Sequence, residues 1–210
     1  MAMLDTLDSG TFGYSGDVKP AADMEILKQT LKDHRQAQYL RLRGGFPIPL
    51  AGLVYWAFLG GIGFYMDLGA WATIALPASG AIFPLALLFA AIFKCPFMKD
   101  KSAIGDVMLP AFISMLLFWP MLIAAAKTAP ELVPLILAIG MSLHWPVIGW
   151  SYGRTGLFSV HAVIRALFCL AIFSIFPEHS ITWMPIGVAA IYGLTVLAIL
   201  ADVRRLKTRH

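Results

Sequence analysis

The sequence predicts an all-α membrane protein, a bundle of six transmembrane helices connected up and down, with both termini in the cytosol. Hydrophobic residues make up 59% of the 210 residues and charged residues only 13%, roughly half the charged share of a soluble domain. Six apolar segments follow one another, each of about the 20 residues that cross the hydrocarbon core. Lipid must therefore be the solvent for much of the chain, so membrane lipids are its expected partners.

The chain begins with two segments that do not cross the membrane. Residues 1–22 are small, acidic and without an apolar period, so we expect a disordered tail. A helical pattern follows over residues 23–43. Met24, Leu27 and Leu31 share one face of this helix, beside lysines. The pattern is typical either of an amphipathic helix on the inner leaflet or of a solvated helix that leads into the first span.

The transmembrane bundle is predicted over residues 44–203, and a basic cytosolic tail, 204–210, ends the chain. Each span must be helical because the bilayer interior offers no water to unpaired backbone groups. The connections are short, which favours antiparallel neighbours. The six predicted spans are 46–66, 71–93, 104–126, 132–150, 156–176 and 181–201.

The placement of basic residues predicts the orientation. Of the 16 lysines and arginines, all except Lys127 and Arg165 lie before span one, between spans two and three, between spans four and five, or after span six. These positions share one side of the bundle, and the positive-inside rule makes that side cytosolic. We therefore expect a multi-pass protein of the cell inner membrane, with both termini in the cytosol. The same distribution gives no single basic surface, which argues against nucleic-acid binding.

Prolines inside the spans predict interruptions. Pro84, Pro110, Pro120 and Pro146 each lack the N–H group that a helix needs, and each leaves the carbonyl four residues earlier without its usual partner. Membrane helices tolerate such kinks, so kinks alone do not indicate a function.

Span one carries a strip of small residues, Gly52, Gly60, Gly61 and Gly63. Glycines at such spacing let another helix approach closely. Two interpretations are open: packing within the bundle, or contact with a second copy or another membrane protein.

The candidate site lies near the cytosolic ends of spans three, four and five. At 1.5 Å per residue, His144 and His161 both lie roughly 8–9 Å inside the cytosolic boundary, and Arg165 follows His161 by one helical turn on the same face. The candidate ligand-binding residues are Asp106, His144, Trp145, Tyr152, Arg154, His161 and Arg165.

Arg165 is the most informative of these residues. An arginine near the bilayer centre costs at least about 2.5–3.5 kcal/mol on insertion scales, and no carboxylate in the spans matches its depth. We expect its partners to be freed carbonyls, the aromatic faces of Trp56 or Tyr192, or a bound anion. A purely structural arginine, hydrogen-bonded between helices, is the alternative.

These features predict the binding or transport of a small anionic or amphipathic ligand in a cytosol-facing cavity between spans three, four and five. Arg154 and Arg165 would supply charge, and the two histidines would supply hydrogen bonds or a proton. Asp106 would orient Arg154 or a histidine, and Trp145 and Tyr152 would wall the mouth. A scaffold or accessory subunit that acts through the glycine strip is one alternative.

A membrane-embedded enzyme, with Ser151 as nucleophile or a histidine as acid–base group, is the other alternative. Residues 149–153 match G-x-S-x-G around Ser151, but a helix rather than a strand enters the motif, so a helix–helix turn is the preferred interpretation. His161 and Asp106 are the possible partners of this serine. No metal or other cofactor is predicted, because the sequence lacks HxxxH, ExxH and carboxylate clusters, and histidines on adjacent hairpin helices suit haem poorly.

Three runs of the sequence resemble a known family. They are GGFPIPLAGLVYW (44–56), AIFPLAL (81–87) and PELVPLILAIGMSLHWPVIGWSYG (130–153). They resemble an uncharacterised family of small bacterial six-span membrane proteins. The resemblance covers most of residues 44–200 in layout and implies a six-helix bundle, with no activity or ligand residues attached.

Overall fold

The computed structural model describes residues 20–96 and 105–208. These residues form helices and no strand, and they include six segments long and apolar enough to cross a membrane. The predicted fold class is therefore confirmed, and the chain is a membrane protein. The six spans are Arg43–Gly63, Leu68–Ile92, Met108–Thr128, Pro130–Ser151, Thr155–Ile175 and Trp183–Lys207.

Ten α-helices build the described part of the chain. Helix α1 precedes the bundle, α2 forms span one, α9 forms span five and α10 forms span six. Spans two, three and four each contain two helices. The bounds are α1 Pro20–Arg41, α2 Pro47–Gly63, α3 Leu68–Ala78, α4 Ile82–Ile92, α5 Met108–Leu116, α6 Trp119–Thr128, α7 Val133–Gly140, α8 Trp145–Ser151, α9 Thr155–Ile175 and α10 Trp183–Lys207.

Helix α1 begins at Pro20, three residues before the predicted helix, and the rest of the predicted disordered tail lies outside the described residues. Met24 and Leu27 are exposed, whereas Gln38 and Tyr39 in the last turns are buried. Only the end of α1 is therefore anchored to the bundle. The contact of its apolar face with the inner leaflet stays a prediction.

The breaks in spans two, three and four lie just before prolines. Span two is interrupted between Ala78 and Ile82, span three between Leu116 and Trp119, and span four between Gly140 and Trp145. The prolines that follow are Pro84, Pro120 and Pro146. Their rings clash with the carbonyl one turn earlier and offer it no N–H, so three of the four predicted interruptions are confirmed.

Pro110 does not interrupt span three, because it lies in the first turn of α5. The N–H groups of a first turn have no intrahelical acceptor, so a proline there removes no hydrogen bond.

The glycine strip of span one packs mainly against span six. A Cβ atom on Gly52 would lie 2.7 Å from the Tyr192 ring, and one on Gly60 would lie 2.6 Å from the Ile186 side chain. A Cβ on Gly63 would overlap the Ile181 carbonyl, whereas Gly61 is exposed and borders open space. Three of the four glycines therefore serve packing within the chain. A partner interface stays a prediction, with only Gly61 of the strip open to it.

One end of the bundle, called here the basic end, carries α1, the segment after span two, the hairpin between spans four and five, and the end of α10. Arg43 donates to the Phe93 carbonyl there (2.8 Å), and Arg154 bonds to Asp202 (2.6 Å). Helix α10 runs through most of the predicted basic tail to Lys207. The cytosolic location of this end stays a prediction.

Candidate functional site

A cavity of about 350 Å³ lies between the spans and is open on one side. Spans one, two, three, four and six contribute its walls, which are mostly apolar. His144, Trp145 and Tyr192 line the cavity and are buried, and the side that they form is called here its inner side.

The broken helices meet at this cavity. Gly80 comes from the break in span two, Leu116 from the break in span three, and His144 from the break in span four, and all three residues line the cavity. Irregular backbone at membrane depth is tolerated only where protein buries it or where it lines a cavity. In many transporters, interrupted helices form the ligand site near the midplane. The three helix breaks that precede prolines therefore border the same cavity.

Arg165 lies behind the inner side of the cavity and is completely buried, with 0% exposure. Its Nη1 donates to the Tyr192 hydroxyl (2.6 Å). Its guanidinium carbon lies 5.1 Å from the ring centres of both Trp56 and Tyr192. The aromatic partners expected for this arginine are thus confirmed. No carboxylate pairs with it within 20–96 and 105–208.

Several buried polar atoms around Arg165 lack a hydrogen-bond partner among the described residues. Leaving such a group unsatisfied costs about 1–3 kcal/mol, and more for a charged group, so native proteins keep few of them. The unsatisfied atoms near Arg165 belong to residues of spans one, four and five. They are Arg165 Nε and Nη2, His144 Nδ1, Trp145 Nε1, Trp56 Nε1 and His161 Nε2.

Five side chains form what we call the polar wall: His144, Trp145, His161, Arg165 and Tyr192. The Trp145 ring lies 5.0 Å from His144, 5.1 Å from His161 and 5.9 Å from Tyr192 between ring centres. The His161 and Tyr192 rings are 4.7 Å apart. Spans four, five and six thus bring predicted site residues together behind one side of the cavity.

The hydrogen bonds of His161 define its role in the wall. Its Nδ1 lies 2.7 Å from the Thr195 hydroxyl, and that hydroxyl donates to the Ile191 carbonyl (2.8 Å). Because a hydroxyl has a single hydrogen, Nδ1 must donate to Thr195. In neutral His161 the Nε2 is then an acceptor. His161 therefore places an acceptor beside the N–H donors of Arg165 and Trp145.

Arg154 and Asp106 are placed differently from the prediction. Arg154 bonds to Asp202 near the end of α10 and lies over the Tyr39 ring, 5.1 Å from its centre. Asp106 is exposed. Asp106 therefore does not orient Arg154, because α10 extends past the predicted end of span six and brings its own carboxylate to the arginine. The other predicted role of Asp106, the orientation of a histidine, stays a prediction.

The predicted position of the cavity also needs correction. Span five contributes no residue to it. His161 lies beside the rings of Trp145 and Tyr192 and lines a separate groove between spans five and six. Tyr152 is buried against Gly45, where an added Cβ would lie 2.6 Å from the tyrosine oxygen. Tyr152 therefore fills the space under the connection between α1 and α2 and does not wall a mouth.

Ser151 belongs to a helix end. Its hydroxyl donates to the Ile148 carbonyl (2.8 Å), and its side chain is buried. Helix α8 ends at Ser151, as the turn interpretation of the motif predicts. His161 bonds instead to Thr195. The described residues thus do not assemble a nucleophile with a base, which removes the support for serine chemistry.

Sequence reasoning missed Thr195 and treated Tyr192 only as a partner of Arg165. Both lie on α10, and a spacing of three places them on one helical face. Two polar side chains on one face of an otherwise apolar span were the available signal, because hydroxyl groups in membrane helices usually bond across to neighbours.

A cluster of charged and aromatic groups fastens the basic end. Arg154 joins Asp202, and Tyr39 of α1 lies against the arginine. Burial raises the pKa of Tyr39, and the nearby Asp202 carboxylate raises it further. The phenol thus stays neutral and adds no competing charge to the ion pair.

We expect the Arg154–Asp202 pair to stabilise the fold by about 1–2 kcal/mol, since it combines a charge-assisted hydrogen bond with partial burial. The measurement is a double-mutant cycle with Arg154→Ala and Asp202→Ala, read as the unfolding free energy in a denaturing detergent. The exposed pair Glu25–Lys28, 3.7 Å apart, serves as the control and should show no coupling. Equal coupling in both cycles would contradict the prediction.

Comparison with known proteins gives a family without an activity. Residues 31–202 match the model of a family of unknown function, DUF7010. No curated protein and no solved structure matches the chain. The resemblance to an uncharacterised family is confirmed, and the geometry of the site must carry the functional argument.

Proposed function

Because the chain belongs to DUF7010, a family of unknown function, we propose a function from the geometry of the polar wall and the cavity. The protein binds a small amphipathic molecule within the membrane. The cavity receives its apolar part, and the polar wall receives an anionic head. The observation that carries this proposal is the buried Arg165, whose Nε and Nη2 have no partner among the described residues.

Electrostatics favours an anionic head. In a medium of low dielectric constant, a charge without a counter-ion is strongly destabilised, and the effective penalty is several kcal/mol. Tyr192 and the two aromatic faces compensate Arg165 only in part. A guanidinium fork matches the planar oxygens of a carboxylate or phosphate. An anion at this position would neutralise the charge and satisfy the free donors together.

Tyr192 links Arg165 to the cavity. Its hydroxyl accepts from Arg165 and, among the described residues, donates to nothing. Hydrogen bonds in a chain polarise one another, so the arginine makes this hydroxyl a stronger donor. Because Tyr192 lines the cavity, it can present that proton to a guest even where the guanidinium is not reached directly.

The shape of the cavity favours a small amphiphile. Its volume of about 350 Å³ lies at the lower end of the range of roughly 300–1,000 Å³ for ligand pockets. Apolar walls with a few polar groups on one side are the usual composition of such sites. The positive-inside rule adds the proposed setting, a bacterial inner membrane with the basic end in the cytosol.

Replacing Tyr192 by phenylalanine should weaken the binding of octyl phosphate by about tenfold or more. The change keeps the ring and removes a donor to an anion, a hydrogen bond of about 1.5–3 kcal/mol. Binding is measured by calorimetry on the full chain in a neutral detergent. Octanol, which has the same chain without the charge, should bind far more weakly to the wild-type protein.

The matched control is Tyr55→Phe. Tyr55 is also buried and loses a hydrogen bond on substitution, to the Ala75 carbonyl (2.8 Å), but it does not line the cavity. Its substitution should leave the affinity unchanged. Equal affinities of wild-type and Tyr192→Phe protein, or equal binding of octanol and octyl phosphate, would overturn the proposed function.

A further inference from the structure

We propose that the ligand enters from the lipid bilayer, through the gap between spans two and three, and that it is a single-chain amphiphile with an anionic head. This inference rests on the proposed function and adds the class of ligand and its route. It replaces the cytosol-facing mouth expected from the sequence.

The first observation is the rim of the cavity. Phe83 of span two is 52% exposed and Leu116 of span three is 50% exposed, and both line the cavity. Ile82 and Phe112, beside them, are half-buried. Large apolar side chains exposed at these positions of a membrane helix face acyl chains. The cavity therefore borders lipid along an apolar rim, through which a hydrocarbon chain passes without desolvating polar groups.

The second observation is that the interior toward the basic end is filled. A column of four buried rings leads from the polar wall to Arg154. Trp145 stacks on Phe158 (5.7 Å between centres), Phe158 packs on Tyr152 (5.9 Å), and Tyr152 packs on Tyr39 (5.7 Å). Each ring is at most 1% exposed. A ligand that approached the polar wall along this column would have to displace its rings, whereas a ligand that entered through the rim would not.

The third observation concerns Gly80, in the break of span two. A Cβ atom added there would meet nothing within 4 Å, although the residue lines the cavity. The missing side chain leaves space beside the rim. The helix of span two is also interrupted at this point, between α3 and α4. Span two therefore has open space beside the rim, at the place where its helix is interrupted.

Size and charge define the ligand class. The cavity is at the small end of ligand pockets, so it holds a head and part of one chain, while the rest of the chain extends through the gap into lipid. The guanidinium of Arg165 and the polarised hydroxyl of Tyr192 favour an anionic head. A free fatty acid combines these properties and serves as the probe.

The experiment uses the full chain in liposomes that contain a photoactivatable fatty acid with a diazirine on its chain. Illumination should give saturable labelling of cavity residues, with Phe112 and Met115 expected among the modified sites in mass spectrometry. Unlabelled fatty acid should compete. A diazirine-bearing fatty alcohol of equal length should label these residues at least fivefold less, because it lacks the charge.

Gly80→Phe should reduce this labelling at least fivefold, because the ring fills the space beside the rim. Gly61→Phe is the matched control. Gly61 also borders open space, but it does not line the cavity, so its variant should label like the wild type. Both variants should keep the wild-type elution profile in size-exclusion chromatography.

Two results would overturn the lateral route: cavity labelling that is unchanged in Gly80→Phe, or labelling confined to outward residues such as Leu167 and Leu194. If octyl phosphate still binds in a Tyr192-dependent way, the proposed function survives that failure. If octyl phosphate binding does not depend on Tyr192, both proposals fall together.

Discussion

Replacing Arg165 by methionine should abolish the binding of octyl phosphate and leave the ligand-free protein at least as stable as the wild type. A loss of affinity without a loss of stability distinguishes a ligand-binding arginine from a structural one. If Arg165 is structural, its replacement should lower the unfolding free energy. If Arg165 serves ligand binding and has no counter-ion, it destabilises the ligand-free protein, and its replacement should not lower the unfolding free energy.

The stability part of this prediction follows from the surroundings of the guanidinium. Arg165 has one hydrogen bond, to Tyr192, and no carboxylate partner among the described residues. Replacing buried ionic groups by apolar residues of similar volume is often neutral or stabilising, by about 1–4 kcal/mol. The insertion penalty of about 2.5–3.5 kcal/mol for a central arginine also disappears. Methionine is unbranched and flexible, so it fills the vacated space with little strain.

The binding part follows from the loss of the charge. Without the guanidinium, the polar wall keeps only neutral donors, and the Tyr192 hydroxyl is no longer polarised by Arg165. We expect no measurable calorimetric binding of octyl phosphate up to its solubility limit, whereas Arg165→Lys, which keeps the charge but not the fork, should retain weakened binding. The unfolding free energy in a denaturing detergent is measured in parallel. A strongly destabilised Arg165→Met protein would establish the structural alternative instead.

The architecture could be predicted because the bilayer imposes it directly on the sequence. Apolar runs of the length that spans hydrocarbon must be helices there. The six predicted spans match the six observed ones within a few residues, except that span six continues to Lys207. Proline chemistry is equally local, so the breaks before Pro84, Pro120 and Pro146 were accessible. Their convergence on one cavity was not, because it depends on how three separate spans pack.

The position of the site residues along their spans was predictable, but only some of their side-chain contacts were. Arg165 and its aromatic neighbours Trp56 and Tyr192 followed from the scarcity of other partners in apolar spans. The pairing of Arg154 failed for a different reason. Which carboxylate reaches a cation at a helix end depends on the rotation and length of the neighbouring helix, and α10 continued far enough to supply Asp202.

The direction of the cavity was also beyond the sequence. Trp145 and Tyr152 were expected to wall the mouth of a cavity. They pack instead with Tyr39 and Phe158, and α1 supplies one of these rings from outside the spans. An aromatic residue near a helix end can face lipid headgroups or a neighbouring ring, and only tertiary packing decides between the two.

The largest effect on folding is expected at Gly63. Its Cβ position overlaps the Ile181 carbonyl, which belongs to the backbone before α10 and cannot rotate away. Gly63→Leu should therefore separate the end of span one from span six and give no folded, monodisperse protein. Gly63→Ala, the smallest change, should still lower the unfolding free energy by about 1–3 kcal/mol, the usual cost of overpacking.

Gly61 provides the matched test two residues earlier on the same helix. Its Cβ position meets nothing within 4 Å, so Gly61→Ala should stabilise the protein by about 0.5–1 kcal/mol, the gain of alanine over glycine in a helix. The two alanine variants are compared by their unfolding free energies, and the two leucine variants by light scattering after chromatography. Opposite signs at Gly63 and Gly61 assign the strip to packing within the chain. A change of oligomeric state in Gly61→Leu would show instead that this strip also holds a partner, and equal destabilisation at both positions would contradict the packing of span one on span six.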